Sequence, residues 1–181
     1  MLEESIKIIK MMLIENSPVS FSGKYFKVNG AICNPKPIQK PYPPLWIGGS
    51  GKRTIEIAAK HANGWNYGLC SYEEYEAKLS LLKNRCKLVN RDYQKIMKGW
   101  QGLIIMGKHE DDVQIKISDL QSKKRIENDG LSKISIVGTT EQVQTEIAKY
   151  ISIGVNYFTV SFPDLESLKL FAERIMPQFK T

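Results

Sequence analysis

Leu2, Ile6, Ile9 and Leu13 recur at steps of three and four. That spacing lays apolar side chains along one stripe of a helix and predicts one over Leu2–Ile14, with Pro18 beyond its end. The next segment, VSFSGKYFKV (residues 19–28), alternates and carries Gly23 at its centre, the pattern of a small hairpin. Residues 29–44 hold five prolines and no period, and predict an extended connector over the surface. Leu45-Trp46-Ile47 is short and apolar throughout, as a buried parallel strand requires. A glycine-rich turn follows, then a helix over Thr54–Ala62 with Ile55, Ala58, Ala59 and Ala62 facing inward.

Gly64-Trp65-Asn66 reads as a second short strand. Ser71 and Glu74 form a capping box that opens a helix toward Leu88, with Tyr75, Leu79 and Leu82 on one face. Residues 96–106 are a strand region interrupted by Gly99 and Gly102. Residues 109–134 are charged and polar and predict a peripheral insertion. Ser135–Gly138 leads into Thr139, which caps a helix through Gln142 and ends before Gly154. Tyr157–Phe162 is a strand, and Asp164 caps a last helix closed by Pro177. Strand, short loop, helix and short loop alternate, which is the rhythm of βα units. Four buried strands are expected, at 45–48, 64–66, 96–106 and 156–162, within one domain spanning 1–181.

Composition narrows the classes. The chain has 181 residues, 42% hydrophobic and 25% charged, with a net charge of +7. This suits a globular protein with a real core. No apolar run is long enough for a membrane span. Cys33, Cys70 and Cys86 lack metal-ligand spacing and read as free thiols of a reducing, cytoplasmic setting, so no metal is expected. The first sixty residues carry nine Lys/Arg against four Glu. The basic residues are neither clustered nor interleaved with aromatics, so a nucleic-acid partner is not expected.

The candidate chemistry lies in PYPPLWIGGSGKRTIEIAAKHANGWN (Pro41–Asn66). Glycine at 48, 49 and 51 allows positive φ and close approach of a ligand to the backbone. The helix start behind it offers unpaired N–H groups and partial positive charge, an anion site. Lys52 and Arg53 add charge, but neighbours on a helix diverge, so one of them at most faces the site. The spacing fits neither the dinucleotide fingerprint nor the Walker pattern. By the motif alone, a tight turn without a ligand is the favoured reading.

Four ordered motifs then carry a family resemblance. They are Phe21-Ser22-Gly23-Lys24-Tyr25-Phe26 after a leading helix, and Asn34-Pro35-Lys36-Pro37-Ile38-Gln39 with Pro41, Pro43 and Pro44. The third is Ile47-Gly48-Gly49-Ser50-Gly51 with Asn63-Gly64-Trp65-Asn66. The fourth is Val137-Gly138-Thr139-Thr140-Glu141-Gln142-Val143 with Gly154-Val155-Asn156. Together they resemble the C-terminal portion of the bacterial-luciferase-like monooxygenase superfamily, closest to the branch using coenzyme F420 or FMN. Asn63 stands where the family usually has aspartate, and Thr140 where it usually has proline; both are tolerable.

The resemblance implies a partial TIM-type (β/α)8 barrel of α/β class, roughly the last four βα units, with a polar helical insertion. It implies cofactor binding by Gly48, Gly49, Ser50, Gly51, Lys52 and Asn66, with the cofactor's phosphate at the turn. The implied activity is hydride transfer between FMN or F420 and a small organic substrate. No residue pair stands out as acid and base, so no catalytic residue is named. His61 and His109 read as structural and surface residues. Open barrel edges imply a homo-oligomer or a complementing N-terminal barrel portion. The competing readings are a catalytically inactive, self-assembling binding or structural module and a phosphate-ligand binder unrelated to redox chemistry.

Overall fold

The computed structural model describes residues 1–123 and 135–179. Helix α1 (Leu2–Ile14) carries Glu3 and Glu4 in its first turn, where carboxylates suit the positive end of a helix. Glu4 also holds the hairpin of β1 (Val19–Ser22) and β2 (Lys27–Ala31), accepting from the backbone N–H groups of Lys24, Tyr25 and Phe26 at 3.0, 2.9 and 3.1 Å. The Tyr25 N–H is foremost among the donors that lower its carboxyl pKa. β2 runs into the stretch expected to be connector, as far as Ala31. His61 is structural, with Nε2 3.1 Å from Glu3 Oε1, tying α1 to the next helix.

The main sheet is parallel throughout: β3 (Trp46–Gly48), β4 (Gly64–Gly68), β5 (Met97–Gly107), β6 (Ser135–Thr139) and β7 (Tyr157–Ser161). Its centre is β5, eleven residues long and uninterrupted at Gly99 and Gly102. Residues 97–101 pair with β4, 99–103 with β7, and 103–107 with β6. Leu103 pairs with both Ser161 and Ser135, so β6 takes up the edge that β4 leaves at Gly68. Asn156 fixes the approach of β7. Its N–H donates to Lys98 O at 3.0 Å, and its Oδ1 accepts from Lys98 N–H at 2.8 Å.

Helices α2 (Lys52–His61), α3 (Tyr72–Leu88), α4 (Glu110–Ser122), α5 (Thr140–Ser152) and α6 (Leu165–Leu170) alternate with the strands. A π-helical turn (Phe171–Ile175) and a 3-10 turn (Met176–Phe179) follow. The expected caps form: Ser71 Oγ accepts from Glu74 N–H at 3.2 Å, Gln142 Oε1 from Thr139 N–H at 2.7 Å, and Asp164 Oδ1 from Ser167 N–H at 2.8 Å. His109 opens α4, its N–H donating to Asp112 at 3.2 Å. α4 comes from the stretch expected to be an insertion and packs on β5 and β6 with Val113 and Leu120 buried. The rest of that stretch, 124–134, lies outside the described residues.

One face of the sheet carries the core. Trp65, Trp100 and Ile104 are buried there against helices bearing Tyr75 and Tyr150. The Trp65–Tyr75, Tyr75–Tyr150 and Trp100–Tyr150 ring centroids are 5.6, 5.7 and 5.2 Å apart. The Tyr75 hydroxyl, deep in this cluster, donates to Gly99 O at 2.8 Å, as a buried phenol must. Arg91 closes α2, its guanidinium donating to the last carbonyls, Ala58 at 3.3 Å, Ala59 at 3.1 Å and Ala62.

The expected fold is corrected here. It is not four strands of a C-terminal partial barrel. The described sheet has five strands, and the α/β architecture takes in nearly the whole chain from α1 to Phe179. The unexpected strand is Ser135–Thr139. Gly138 at φ +152 and the adjoining helix cap hide its alternation in the sequence.

Arg91→Ala should lower stability by about 1.5–3 kcal/mol, because charged hydrogen bonds to three helix-end carbonyls are lost. Urea denaturation monitored by tryptophan fluorescence measures it. Acid should act through Asp164. Burial would raise its pKa, but the Ser167 N–H, the Ser167 hydroxyl and Lys116 outweigh that and lower it. A depressed folded pKa contributes stability above the unfolded value, near 3.9, and the contribution is lost as pH falls through the folded value. Wild type should therefore lose more unfolding free energy than Asp164→Asn between pH 5 and about pH 2, measured by denaturant titration at each pH.

Candidate functional site

The glycine turn leaves the carboxyl end of β3 and enters α2. Gly49 has φ +114, a conformation L side chains rarely adopt, and its N–H donates to Asn66 O at 3.1 Å. Its carbonyl accepts from the Trp65 indole N–H at 2.9 Å, so the turn is pinned to β4 from both sides of one residue. Gly51 is the N-cap of α2 with φ −65 and ψ 141, and it supplies no side-chain cap. The first turn of α2 contains no acidic residue. The N–H groups at its start thus keep their positive field uncompensated by a local carboxylate. Lys52 and Arg53 are exposed, and Arg53 lines a cleft of about 300 Å³ with Glu3, Tyr25 and Ile57.

The sheet face opposite the core lies open beside the turn. Register places Gly48, Asn66, Gly99 and Tyr157 in one row across four strands, with Gln101 and Thr159 in the next. The Trp46 ring covers Gly64 and Gly99. A Cβ at Gly64 would fall 2.4 Å from the ring, and one at Gly99 would fall 2.9 Å from it. Trp46 meets Tyr157 with centroids 4.7 Å apart at 49°, and Tyr157 is half exposed. Asn66 Nδ2 donates to Gln101 Oε1 at 3.0 Å, while Asn66 Oδ1 has no partner among the described residues. The face is therefore an aromatic floor with amides and hydroxyls above it.

A second cluster stands behind the turn. The Tyr67 hydroxyl donates to Glu74 Oε1 at 2.6 Å, with the Cys70 thiol nearby. Burial, then Glu74, pushes the phenol up to about 12; burial, then Glu74, pushes the Cys70 thiol up to about 11.

Gly48, Gly49, Ser50, Gly51, Lys52 and Asn66, the residues expected at a cofactor site, thus share one neighbourhood at the end of β3 and the middle of β4. Sequence reading missed Trp46 and Tyr157 as an open-face pair, Gln101 as the partner of Asn66, and the Tyr67–Glu74 pair. Gln101 carried a usable signal, since it lies two residues past Gly99 on the same strand face. The others depend on contacts across elements. Among the described residues, no group of three or more His, Cys, Asp or Glu could hold a metal ion.

The model of the family described as luciferase-like monooxygenase matches residues 1–123, more than half of the 181 residues. The chain belongs to the luciferase-like monooxygenase family. Among solved structures it is similar to the coenzyme F420-dependent tetrahydromethanopterin reductase of Methanopyrus kandleri, with 20% identity and a TM-score of 0.81 over 99% of this chain and 63% of that one. It is similar to an F420-dependent secondary alcohol dehydrogenase in complex with an F420-acetone adduct, with 17% identity and a TM-score of 0.82 over 100% and 62%. A long-chain alkane monooxygenase matches with 20% identity and a TM-score of 0.73 over 89% and 46%. At these identities the likeness shows the α/β barrel-like fold. The chain spans 63%, 62% and 46% of the lengths of these proteins. The expectation of a resemblance confined to a C-terminal portion is corrected: the family match begins at residue 1, and the structural likeness takes in nearly the whole chain. Among the described residues, no helix is long and apolar enough to cross a membrane.

Gly49→Ala should cost about 1–3 kcal/mol through backbone strain alone. The nearest atom to its Cβ, Thr54 Cγ2, would lie at an ordinary 3.6 Å. Urea midpoints of wild type and variant measure the loss.

Proposed function

We propose that this chain serves an FMN- or coenzyme F420-dependent oxidoreductase or monooxygenase, in which hydride passes between the cofactor ring and a small organic substrate. The observation that carries the reading is the pinned glycine turn opening onto an α2 start with no side-chain cap and no acidic first turn. The donor set fits a phosphate: backbone N–H groups, a Gly49 with no side chain in the way, and the charge of Lys52. Names among the similar structures, which include two F420-dependent enzymes, support the cofactor class. When bound, the cofactor supplies the redox chemistry.

This chain's residues bind and orient. The turn would hold the phosphate at the carboxyl end of the sheet, and Lys52 would neutralise it. Asn66, held by Gln101, would line the floor beneath the ring, with its unpartnered Oδ1 buried toward Gly99. Trp46 and Tyr157 would exclude water from the floor of the open face. That face is exposed in the single chain, and the same reading calls for cover from a second copy or a complementing barrel portion.

FMN or F420 titrated into the protein should bind at micromolar concentration with a change in cofactor fluorescence. Inorganic phosphate should compete, and Lys52→Ala should weaken binding about twofold to fivefold. Absence of binding by both cofactors overturns the reading.

A further inference from the structure

Tyr67 has no part in the binding scheme above, yet its surroundings are those of an electron donor. Its hydroxyl donates to Glu74 Oε1 at 2.6 Å, a short charge-assisted hydrogen bond. Its ring lies 5.8 Å from that of Trp65, and stacks on Tyr75 at 6.2 Å and 8°. The Trp65 indole donates to the Gly49 carbonyl at 2.9 Å. A run of aromatic rings therefore leads from the glycine turn to a phenol with a carboxylate at its proton.

Tyrosine and tryptophan give up a single electron more readily than most side chains. A phenol that has lost an electron is a strong acid, so its oxidation is easy only where a base stands ready. Glu74 is that base. It is exposed, so a proton it takes can pass on to water. Its N–H donates to Ser71 Oγ at 3.2 Å, which fixes it in the first turn of α3. Tyr75 lacks such a base: its hydroxyl donates to the Gly99 carbonyl, an oxygen too weakly basic to hold a proton at neutral pH. Among the described residues no other tyrosine hydroxyl donates to a carboxylate. A hole that enters the run at Trp65 thus comes to rest at Tyr67. Burial, then Glu74, pushes the phenol pKa up to about 12, so its proton stays on oxygen until the electron leaves.

We propose that Tyr67 and Glu74 form a proton-coupled electron donor to a photo-excited flavin or deazaflavin held at the turn. The proposal rests on the cofactor reading above. One electron passes from Tyr67, by way of Trp65, to the excited ring. The Tyr67 O–H bond breaks and its proton goes to Glu74. The products are a neutral phenoxyl radical, a protonated Glu74 carboxyl and a ring carrying one added electron. Return of the electron and the proton restores the starting state, so the excitation is dissipated without lasting damage to the protein.

The probe is FMN, or F420 if that alone binds. Its complexes with wild type, Tyr67→Phe and Glu74→Gln are excited by a laser flash without oxygen. Transient absorption follows the tryptophan and phenoxyl radicals, and electron paramagnetic resonance identifies them in samples frozen under illumination. Phe keeps the ring stack on Tyr75, and Gln sits at an exposed position, so both variants keep the core. Wild type should form a phenoxyl radical as the tryptophan radical decays, more slowly in D2O than in H2O. Tyr67→Phe should lose most of the phenoxyl signal and keep a longer-lived tryptophan radical. Glu74→Gln should lose most of the phenoxyl signal as well, although the phenol is still there. If wild type binds the probe but gives no phenoxyl radical, or if either variant keeps the wild-type yield, the Tyr67–Glu74 proposal is overturned while the cofactor reading stands. If neither FMN nor F420 binds, the cofactor reading falls and takes this proposal with it.

Discussion

The structure depends on one strand serving three partners. β5 is long enough to pair with β4 and β7 along its first half and with β6 along its second. Parallel strands need a crossover between them, and here each is a helix packed on the sheet. That constraint places α2, α3 and α5 over Trp65 and Trp100, while α4 covers Leu103 and Ile105 on the opposite face and leaves that face open beside the glycine turn. Tyr75 locks the arrangement by reaching from α3 to the Gly99 carbonyl in the middle of β5. Asn156 does the same from the β7 side.

The candidate site is a consequence of that frame. β3 is short and ends at Gly48, so the chain must turn at the carboxyl edge of the sheet, where α/β proteins hold their ligands. The turn is shaped from outside itself: Asn66 O takes the Gly49 N–H, and the Trp65 indole takes the Gly49 carbonyl. β4 therefore contributes to both sides of the site. Its backbone and Trp65 brace the turn, Asn66 lies on the open face, and Tyr67 reaches Glu74 on the core side. Successive residues of one strand point to opposite faces, so Trp65 braces the turn from the core side while Asn66 lies on the open face.

Much of the fold was legible because it is local. The cap residues Ser71, Thr139 and Asp164 bond to groups three positions away, and a linear reading finds such pairs. The glycine turn and the hairpin around Gly23 show in the same way. Other features resist for the opposite reason. Trp46 looks like core in Leu-Trp-Ile, yet it lies on the open face over Gly64 and Gly99, because a three-residue strand has too few positions to show its alternation. Asn66 and Gln101 are 35 residues apart, and Arg91 caps a helix that ended thirty residues earlier. The strand Ser135–Thr139 is masked by the cap motif that follows it.

By itself, the sequence determined the alternation of strands and helices, their start signals, and the glycine turn with its candidate ligand residues. These rest on backbone sterics and on hydrogen bonds within one turn of chain, which act whatever the rest of the protein does. Tertiary structure alone decided that the sheet carries a fifth strand, that one sheet face stays open beside the turn, and which side chains meet there. Those outcomes depend on register between strands and on packing between helices, and both are properties of distant segments brought together. The Tyr67–Glu74 hydrogen bond is the clearest case: two ordinary residues meet only when α3 packs beside β4.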